Sequence, residues 1–319
     1  GGIWTMRNII IAPDSFKGTL EAQEICNIIS KVVYQYIPQA EITCIPMADG
    51  GEGLVSSYLQ QFGGERMREK VTGPSGKEVF SEYGILDGYT AVVEMASCAG
   101  LPLMENHLDP MHATTYGVGE LIRKIADSGI RKILIGIGGS ATNDMGIGMA
   151  AALGYRFYDG NWEEVEPMAY NLGKIEHIRR PEKELDITIT VAWDVDNPLC
   201  GPNGATYTFG RQKGVLEDQM EELDRCVEHM ASVLQKEFGI DVRQIPGAGA
   251  AGGLGAALLV FLKAELKSGI ELFLDTIHFD ELLKKADLVF TGEGRIDWQS
   301  VAGKVPVGIS KRARRAGGP

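Results

Sequence analysis

The stretch Asn8-Ile9-Ile10-Ile11-Ala12-Pro13-Asp14-Ser15-Phe16-Lys17-Gly18 decides the fold. Asn8 to Ala12 is an apolar run of β type that breaks into a polar loop. Ile25, Ile28, Ile29, Val32, Val33 and Tyr36 then recur at helical spacing until Pro38 stops the pattern. The same sequence of strand, loop and helix repeats at once. Ile42 to Pro46 reads as a second strand, and Leu54, Val55, Tyr58, Leu59 and Phe62 form a helical stripe ended by Gly63-Gly64. A chain that opens β-α-β-α belongs to the α/β class.

From Arg66 to Met95 the pattern changes to short β-like segments broken by Gly73-Pro74-Ser75-Gly76 and Asp87-Gly88, which predicts antiparallel hairpins. Val118, Leu121, Ile122 and Ile125 mark a helix, Arg131 to Ile137 a buried strand, and Asp186 to Trp193 a strand leading into a polar loop. Leu216, Met220, Leu223, Val227, Met230, Leu234 and Phe238 trace one face of a long helix, and Gly252 to Lys267 reads as another. Asp287 to Thr291 returns to the strand-then-loop style of the N-terminus. Two α/β domains are therefore expected, one built from 6–65 with 285–319, the other from 66–284 inserted into it.

Composition narrows the function classes. The 319 residues are 44% hydrophobic and 23% charged, with 31 Lys plus Arg against 43 Asp plus Glu and a formal charge of −12. Such a surface does not attract nucleic acid or anionic lipid over long range. The basic cluster Lys311, Arg312, Arg314 and Arg315 reads as a solvated helix face. No apolar run approaches the roughly 20 residues needed to span a bilayer, so a cytoplasmic protein is expected. The five cysteines are scattered without a Cys-x-x-Cys pair, which argues against structural zinc or a disulfide framework. The histidines are far apart, and no His-Glu-x-x-His or Gly-x-Ser-x-Gly motif occurs.

The 41 glycines concentrate where strands end. Glycine loops let backbone N–H groups approach phosphate oxygens. Gly136-Ile137-Gly138-Gly139-Ser140-Ala141 fits the G-x-G-x-x-A dinucleotide pattern, with Asp159 downstream as a candidate ribose ligand, so a nicotinamide-dependent oxidoreductase is the second reading. Gly247 to Gly252 fits a similar pattern, which weakens the weight of either. A Walker A sequence is absent. The acidic loops carry more. Asp49 and Glu52 sit among Gly50, Gly51 and Gly53 directly after a strand. They are candidate magnesium ligands, or else they cap the helix that follows. Asp194, Asp196 and Asn197 form a second acidic strand end, and Glu293, Arg295 and Asp297 a third. Phosphoryl transfer needs a divalent cation, a cationic clamp and a carboxylate that receives the hydroxyl proton. The loop cations available for the clamp are Lys17, Lys213, Arg295 and Lys304.

Taken in order, Ala12 to Gly18, Ala48 to Gly53, Gly136 to Asp144, Asp194 to Leu199, Phe209 to Gly214, Pro246 to Gly255 and Thr291 to Asp297 with Gly303-Lys304 resemble the glycerate kinase family typified by bacterial glycerate 2-kinases. The resemblance implies a flavodoxin-like parallel-sheet domain carrying an inserted, mixed α/β domain. It implies transfer of the γ-phosphate of ATP to D-glycerate with Mg2+, giving 2-phosphoglycerate, with 3-phosphoglycerate as the other possible product; the partner is a small-molecule substrate. An inactive relative that only binds a sugar acid is a third reading. The site carried over comprises Asp14, Ser15 and Lys17; Asp49 and Glu52; Ser140, Asn143 and Asp144; Asp194 and Asn197; and Glu293, Arg295 and Asp297, with Lys213 from the loop cations as a further candidate binding residue. Within it, Lys17 and Arg295 are assigned to the substrate carboxylate or the moving phosphate, Asp49 and Glu52 to magnesium, and Asp194 to the hydroxyl proton. Three departures stand out: Met145 where such chains tend to have glycine, Arg211 in place of proline, and Trp193 in place of a small residue. Family members also continue well beyond a motif like Gly303-Lys304-Val305-Pro306, so the C-terminal part of the first domain reads as truncated.

Overall fold

The computed structural model describes residues 7–16, 19–47, 53–294 and 305–317. The first strand, β1 (Asn8–Ile11), is followed by helix α1 (Ala22–Tyr36) and strand β2 (Glu41–Cys44). Ile9 and Ile11 form a small core with Cys26 and Val33 of α1, Ile37 and Ala40, with Ile29 packed against it; Ala22 and Ile25 are the other buried residues of the helix. Ile28, Val32 and Tyr36 lie exposed on the other side of α1.

The next elements build a second sheet. Helix α2 (Leu54–Phe62) precedes the antiparallel strands β3 (Glu65–Thr72), β4 (Glu78–Ile85) and β5 (Thr90–Glu94). The turns are those the sequence marked: Gly76, at φ +84°, closes the first, and Asp87 Oδ1 accepts from the backbone N–H groups of Tyr89 and Thr90 in the second. After β5 come α3 (Ala96–Ala99), α4 (Tyr116–Asp127), β6 (Lys132–Gly136), α5 (Ile147–Ala152), a small hairpin of β7 (Arg156–Tyr158) with β8 (His177–Arg179), and β9 (Thr188–Trp193). Helices α6 (Ala205–Lys213), α7 (Met220–Phe238) and α8 (Leu254–Leu262) follow, then strand β10 (Glu265–Ser268). The sheet order is β10-β9-β6-β5-β4-β3, with β5, β6 and β9 parallel. Its fully buried strands and the apolar faces of α4, α7 and α8 make one large core.

The segment read from sequence as one helix over 252–267 is two elements. Lys263, at φ +55°, ends α8 in the left-handed region, and the chain turns into the edge strand β10.

The chain closes with α9 (Gly269–Thr276), α10 (Phe279–Leu283), β11 (Leu288–Phe290) and α11 (Val305–Arg315). Strand β11 pairs in parallel with β1, giving the order β11-β1-β2, the start of a flavodoxin-like sheet. Asp287 fastens this pairing: its carboxylate accepts from the N–H groups of Asn8 and Arg7, bonds that hold it below the usual carboxylate range. Contacts divide the chain into two units, Gly1–Asp49 with Ser268–Pro319, and Gly50–Lys267. Relative to the division expected from sequence, α2 joins the second unit because it packs on β4 and β5, while α9 and α10 join the first because they pack with α11.

Candidate active site

In open α/β sheets ligands gather beyond the carboxyl ends of parallel strands. Each unit places predicted site residues there. In the first unit, the loops after β1 and β11 run side by side. Asp14 N–H donates to Gly292 O at 2.9 Å, and Thr291 Oγ1 donates to Ala12 O at 2.8 Å. Asp14, Ser15 and Glu293 are thereby brought to one end of the sheet, half-buried, with the Ser15 N–H bonded to Asp14 Oδ1. Lys17, Asp49, Glu52, Arg295 and Asp297 lie outside the described residues, as does Lys304.

In the second unit, the loops after β6 and β9 and the glycine segment before α8 enclose an open pocket of about 160 Å³. Gly138, Gly139, Ser140, Asp194, Gln212 and Lys213 are among its lining residues. Glycine explains why three loops fit so closely. A Cβ on Gly252, whose φ is +62°, would stand 2.0 Å from Thr142 O, and one on Gly249 2.2 Å from Pro198 O. Met145 N–H donates to Gly252 O across the same seam. Two of the sequence departures lie at this seam. Met145 is fully buried at φ +54°, in the left-handed region that favours glycine. Trp193 packs its ring on Gly247, where a Cβ would stand 2.4 Å from Trp193 Cδ1. The third, Arg211, forms an exposed ion pair with Glu217 at 2.6 Å.

Lys213 ends α6 almost fully buried, 3% exposed, with Nζ donating to Ser140 Oγ and to Thr142 O at 2.7 Å each. Burial pulls its pKa down to about 7, against the attraction of Asp144. Asp144 itself is an internal post. Its carboxylate accepts from Thr115 N and Oγ1, Gly146 N and Gly148 N, tying the start of α5 to the start of α4. Burial pushes its pKa up, and those four bonds pull the other way. Asn143 is buried with Nδ2 donating to Thr206 Oγ1, while its Oδ1 and the hydroxyl of Thr142 have no partner among the described residues. Asn197 donates to Asn203 O at 3.0 Å, bracing the loop that begins at Asp194. The structure thus sets Ser140, Asp194 and Lys213 on the pocket wall and Asn143, Asp144 and Asn197 in the loops that hold it.

Three contributors escaped the sequence reading. Glu94, at the carboxyl end of β5, accepts from Gly53 N and Val55 N at the start of α2. It performs for those two amides the capping task considered for Asp49 and Glu52. The signal was available, since Glu94 ends a parallel strand as Asp194 nearly does. Thr115 and Thr206, which hold Asp144 and Asn143, carry no such signal because each acts across a long sequence separation.

The nicotinamide reading loses its geometry. In a dinucleotide fold the glycine turn opens directly into a helix, whereas α5 starts only at Ile147 and Ser140 instead forms a β-bridge to Gly100. Asp159 sits in the turn of the β7–β8 region, with Oδ1 accepting from Asn161 N and Glu163 N. Among the described residues, no group of three or more His, Cys, Asp or Glu is arranged to hold a metal ion. No described helix is long and apolar enough to cross a membrane.

Comparison with known proteins agrees with this architecture. The family model "Glycerate kinase family" matches residues 9–319. A glycerate kinase of Halalkalibacterium halodurans is 46% identical over 322 residues, covering 98% of this chain and 84% of that protein. The glycerate 2-kinase of Escherichia coli K12 is 45% identical, covering 96% of this chain and 82% of that protein. A crystal structure assigned as glycerate kinase 2 from Salmonella typhimurium LT2 superposes with a TM-score of 0.87 at 41% identity, covering 98% of this chain and 85% of that one. With its sheet orders, its strand-end loops and these relatives in agreement, the chain belongs to the glycerate kinase family.

Proposed function

We propose that this chain transfers the γ-phosphoryl group of ATP to the 2-hydroxyl of D-glycerate. The observation that carries this reading is the pocket beyond β6 and β9, where a carboxylate, Asp194, and a buried cation, Lys213, line one small space. Its volume of about 160 Å³ suits a three-carbon acid or one phosphoryl group. Pockets for drug-sized or cofactor ligands measure roughly 300–1,000 Å³. Asp194, in the loop directly after β9, takes the proton from the substrate hydroxyl. Lys213 and the hydroxyl of Ser140 offer hydrogen bonds to an anionic oxygen, and the backbone of Gly138 and Gly139 leaves room for close approach.

Lys17 and Arg295 are proposed for the substrate carboxylate and the moving phosphate, with Asp14, Ser15, Glu293 and Asp297 as further binding residues. Magnesium, held by Asp49 and Glu52 in this reading, would neutralise charge on the phosphate oxygens. Carboxylate oxygens at the two positions are the ligand type that a hard divalent cation takes.

The test is direct. Incubation with D-glycerate, ATP and Mg2+ should release ADP, and a coupled assay with enolase but without phosphoglycerate mutase should consume the product. ADP release without enolase turnover would move the reading to the 3-phosphate; no ADP release would end it. Asp194→Asn should lower kcat by about 10²–10⁴-fold with little change in KM. Nearly full turnover in that variant would remove Asp194 from the role of base.

A further inference from the structure

Lys213 is an unusual lysine. An ammonium group has three N–H donors, and the described residues take two of them, through Ser140 Oγ and Thr142 O, both neutral. No ion pair joins it among the described residues, yet it is 3% exposed and lines the pocket. The hydroxyl of Ser140, in accepting from Lys213, keeps its own O–H free to donate into the same space, and Ser140 is itself 5% exposed. A buried cation without a counter-charge in contact is costly, and an anion entering the pocket would supply one.

Among the described residues the charged surroundings are few. From the β6–α5 loop, Asp144 attracts Lys213 from beyond bonding distance while its oxygens serve Thr115, Gly146 and Gly148. From the β9–α6 loop, Asp194 lines the same pocket. On its own helix, Arg211 is exposed and paired with Glu217. The segment His107–Asp109 packs on Gly214 through Leu108, and Asp109 pairs with His112 at 2.9 Å. The glycine segment 247–253 contributes no titratable side chain.

We propose that Lys213 and Ser140 form a proton-linked oxyanion subsite: a phosphoryl or carboxylate oxygen of a bound substrate accepts the third N–H of Lys213 and the Ser140 O–H, and binding draws one proton from solvent onto Nζ. The inference rests on the reading of this pocket as a substrate site. The balance is simple: a neutral amine, a proton and the anion become an ammonium hydrogen-bonded to the anion, with no bond of the substrate broken. With the free amine titrating at about 7, the pocket at neutral pH holds a mixture of neutral and charged lysine, and the bound anion selects the charged form. Above that pH, affinity falls as the proton must be recruited from ever more dilute supply, about tenfold per pH unit.

Titration calorimetry on the full chain, at about pH 8 to 9 in two buffers of different ionisation heat, tests this with ADP, D-glycerate and inorganic phosphate as separate probes. Uptake approaching one proton per site is expected for the probe that reaches the pocket, and its identity distinguishes a phosphoryl from a carboxylate occupant. Lys213→Met should weaken that probe at least tenfold and abolish the proton uptake. Ser140→Ala should weaken it severalfold and leave the uptake in place, a split that a merely structural role would not produce. If Lys213→Met does not fold by circular dichroism, the wild-type pH series and Ser140→Ala decide. Absence of proton uptake with all three probes, or Lys213→Met binding with the parent's affinity and linkage, overturns the proposal. Turnover of D-glycerate with no proton linkage would overturn the subsite and leave the kinase reading intact. Proton-linked phosphate binding without glycerate-dependent ADP release would do the reverse.

Discussion

Gly252→Ala is the sharpest probe of how the site is held. The new Cβ would stand 2.0 Å from Thr142 O and 2.6 Å from Asn143 Cα, and real Cβ contacts essentially never fall under 3.0 Å. One of the two loops must therefore retreat by about an ångström, and both partners are backbone with no side chain to swing aside. Two costs add. Placing an L-residue at φ +62° costs about 1–2 kcal/mol, and forcing extra volume into a packed seam about 1–3 kcal/mol. Gly239→Ala separates them, because Gly239 has a similar φ of +74° with nothing within 4 Å of its would-be Cβ. Urea unfolding of the two variants should show Gly252→Ala the less stable by the steric part, about 1–3 kcal/mol. Because the displaced backbone includes Thr142 O, which anchors Lys213, turnover should fall by on the order of 10²-fold, the usual consequence of an ångström's misplacement. Gly239→Ala should keep its turnover. Equal stability of the two variants, with unchanged turnover in Gly252→Ala, would refute the idea that backbone contact sets the pocket's shape.

Two further outcomes follow from the same reasoning. Arg312, 6% exposed, joins α11 to α9 and α10 through Glu271, Asp275 and Asp280 at 2.6, 2.7 and 3.3 Å. Arg312→Met should lower stability in thermal unfolding by about 1–3 kcal/mol rather than the 3–5 of a buried pair, because its partners are 42–63% exposed and become hydrated. Glu94→Ala should cost about 1 kcal/mol and speed hydrogen exchange at the amides of Gly53 and Val55, with Glu94→Gln retaining part of the protection.

Much of the fold is legible in the sequence because strands such as Ile133–Ile135, an unbroken apolar run, and Ile189–Val191, interrupted only by the β-branched Thr190, are buried on both faces. Strand β10 is not. Glu265–Ser268 follows directly on Leu254–Leu262, an almost wholly buried helix with no polar face to mark its period, and only the left-handed turn at Lys263 separates them. On α1 the apolar stripe is wider than the buried face, and Cys26 goes inward where Ile28, Val32 and Tyr36 do not. At the site, residue type misleads in both directions. A carboxylate in a glycine loop suggests a ligand group, yet Asp144 is enclosed by bonds to its own neighbourhood. Lys213 reads as a loop cation, yet it ends a helix and is buried. Local pattern reports what a residue offers, whereas burial depends on partners a hundred positions away, as between Thr142 and Gly252.

The glycine seam has a consequence for redesign. A floor made of main chain presents nearly the same surface whatever side chains surround it, so exchanging residues in 138–139 or 247–253 would disturb the loops' fit before it altered what the pocket prefers. The adjustable surface is the wall supplied by α6, where Phe209 and Gln212 bring side chains to the lining. An effort to retune the pocket for a longer or bulkier acid should begin on that helix, leaving the loops as a fixed mould.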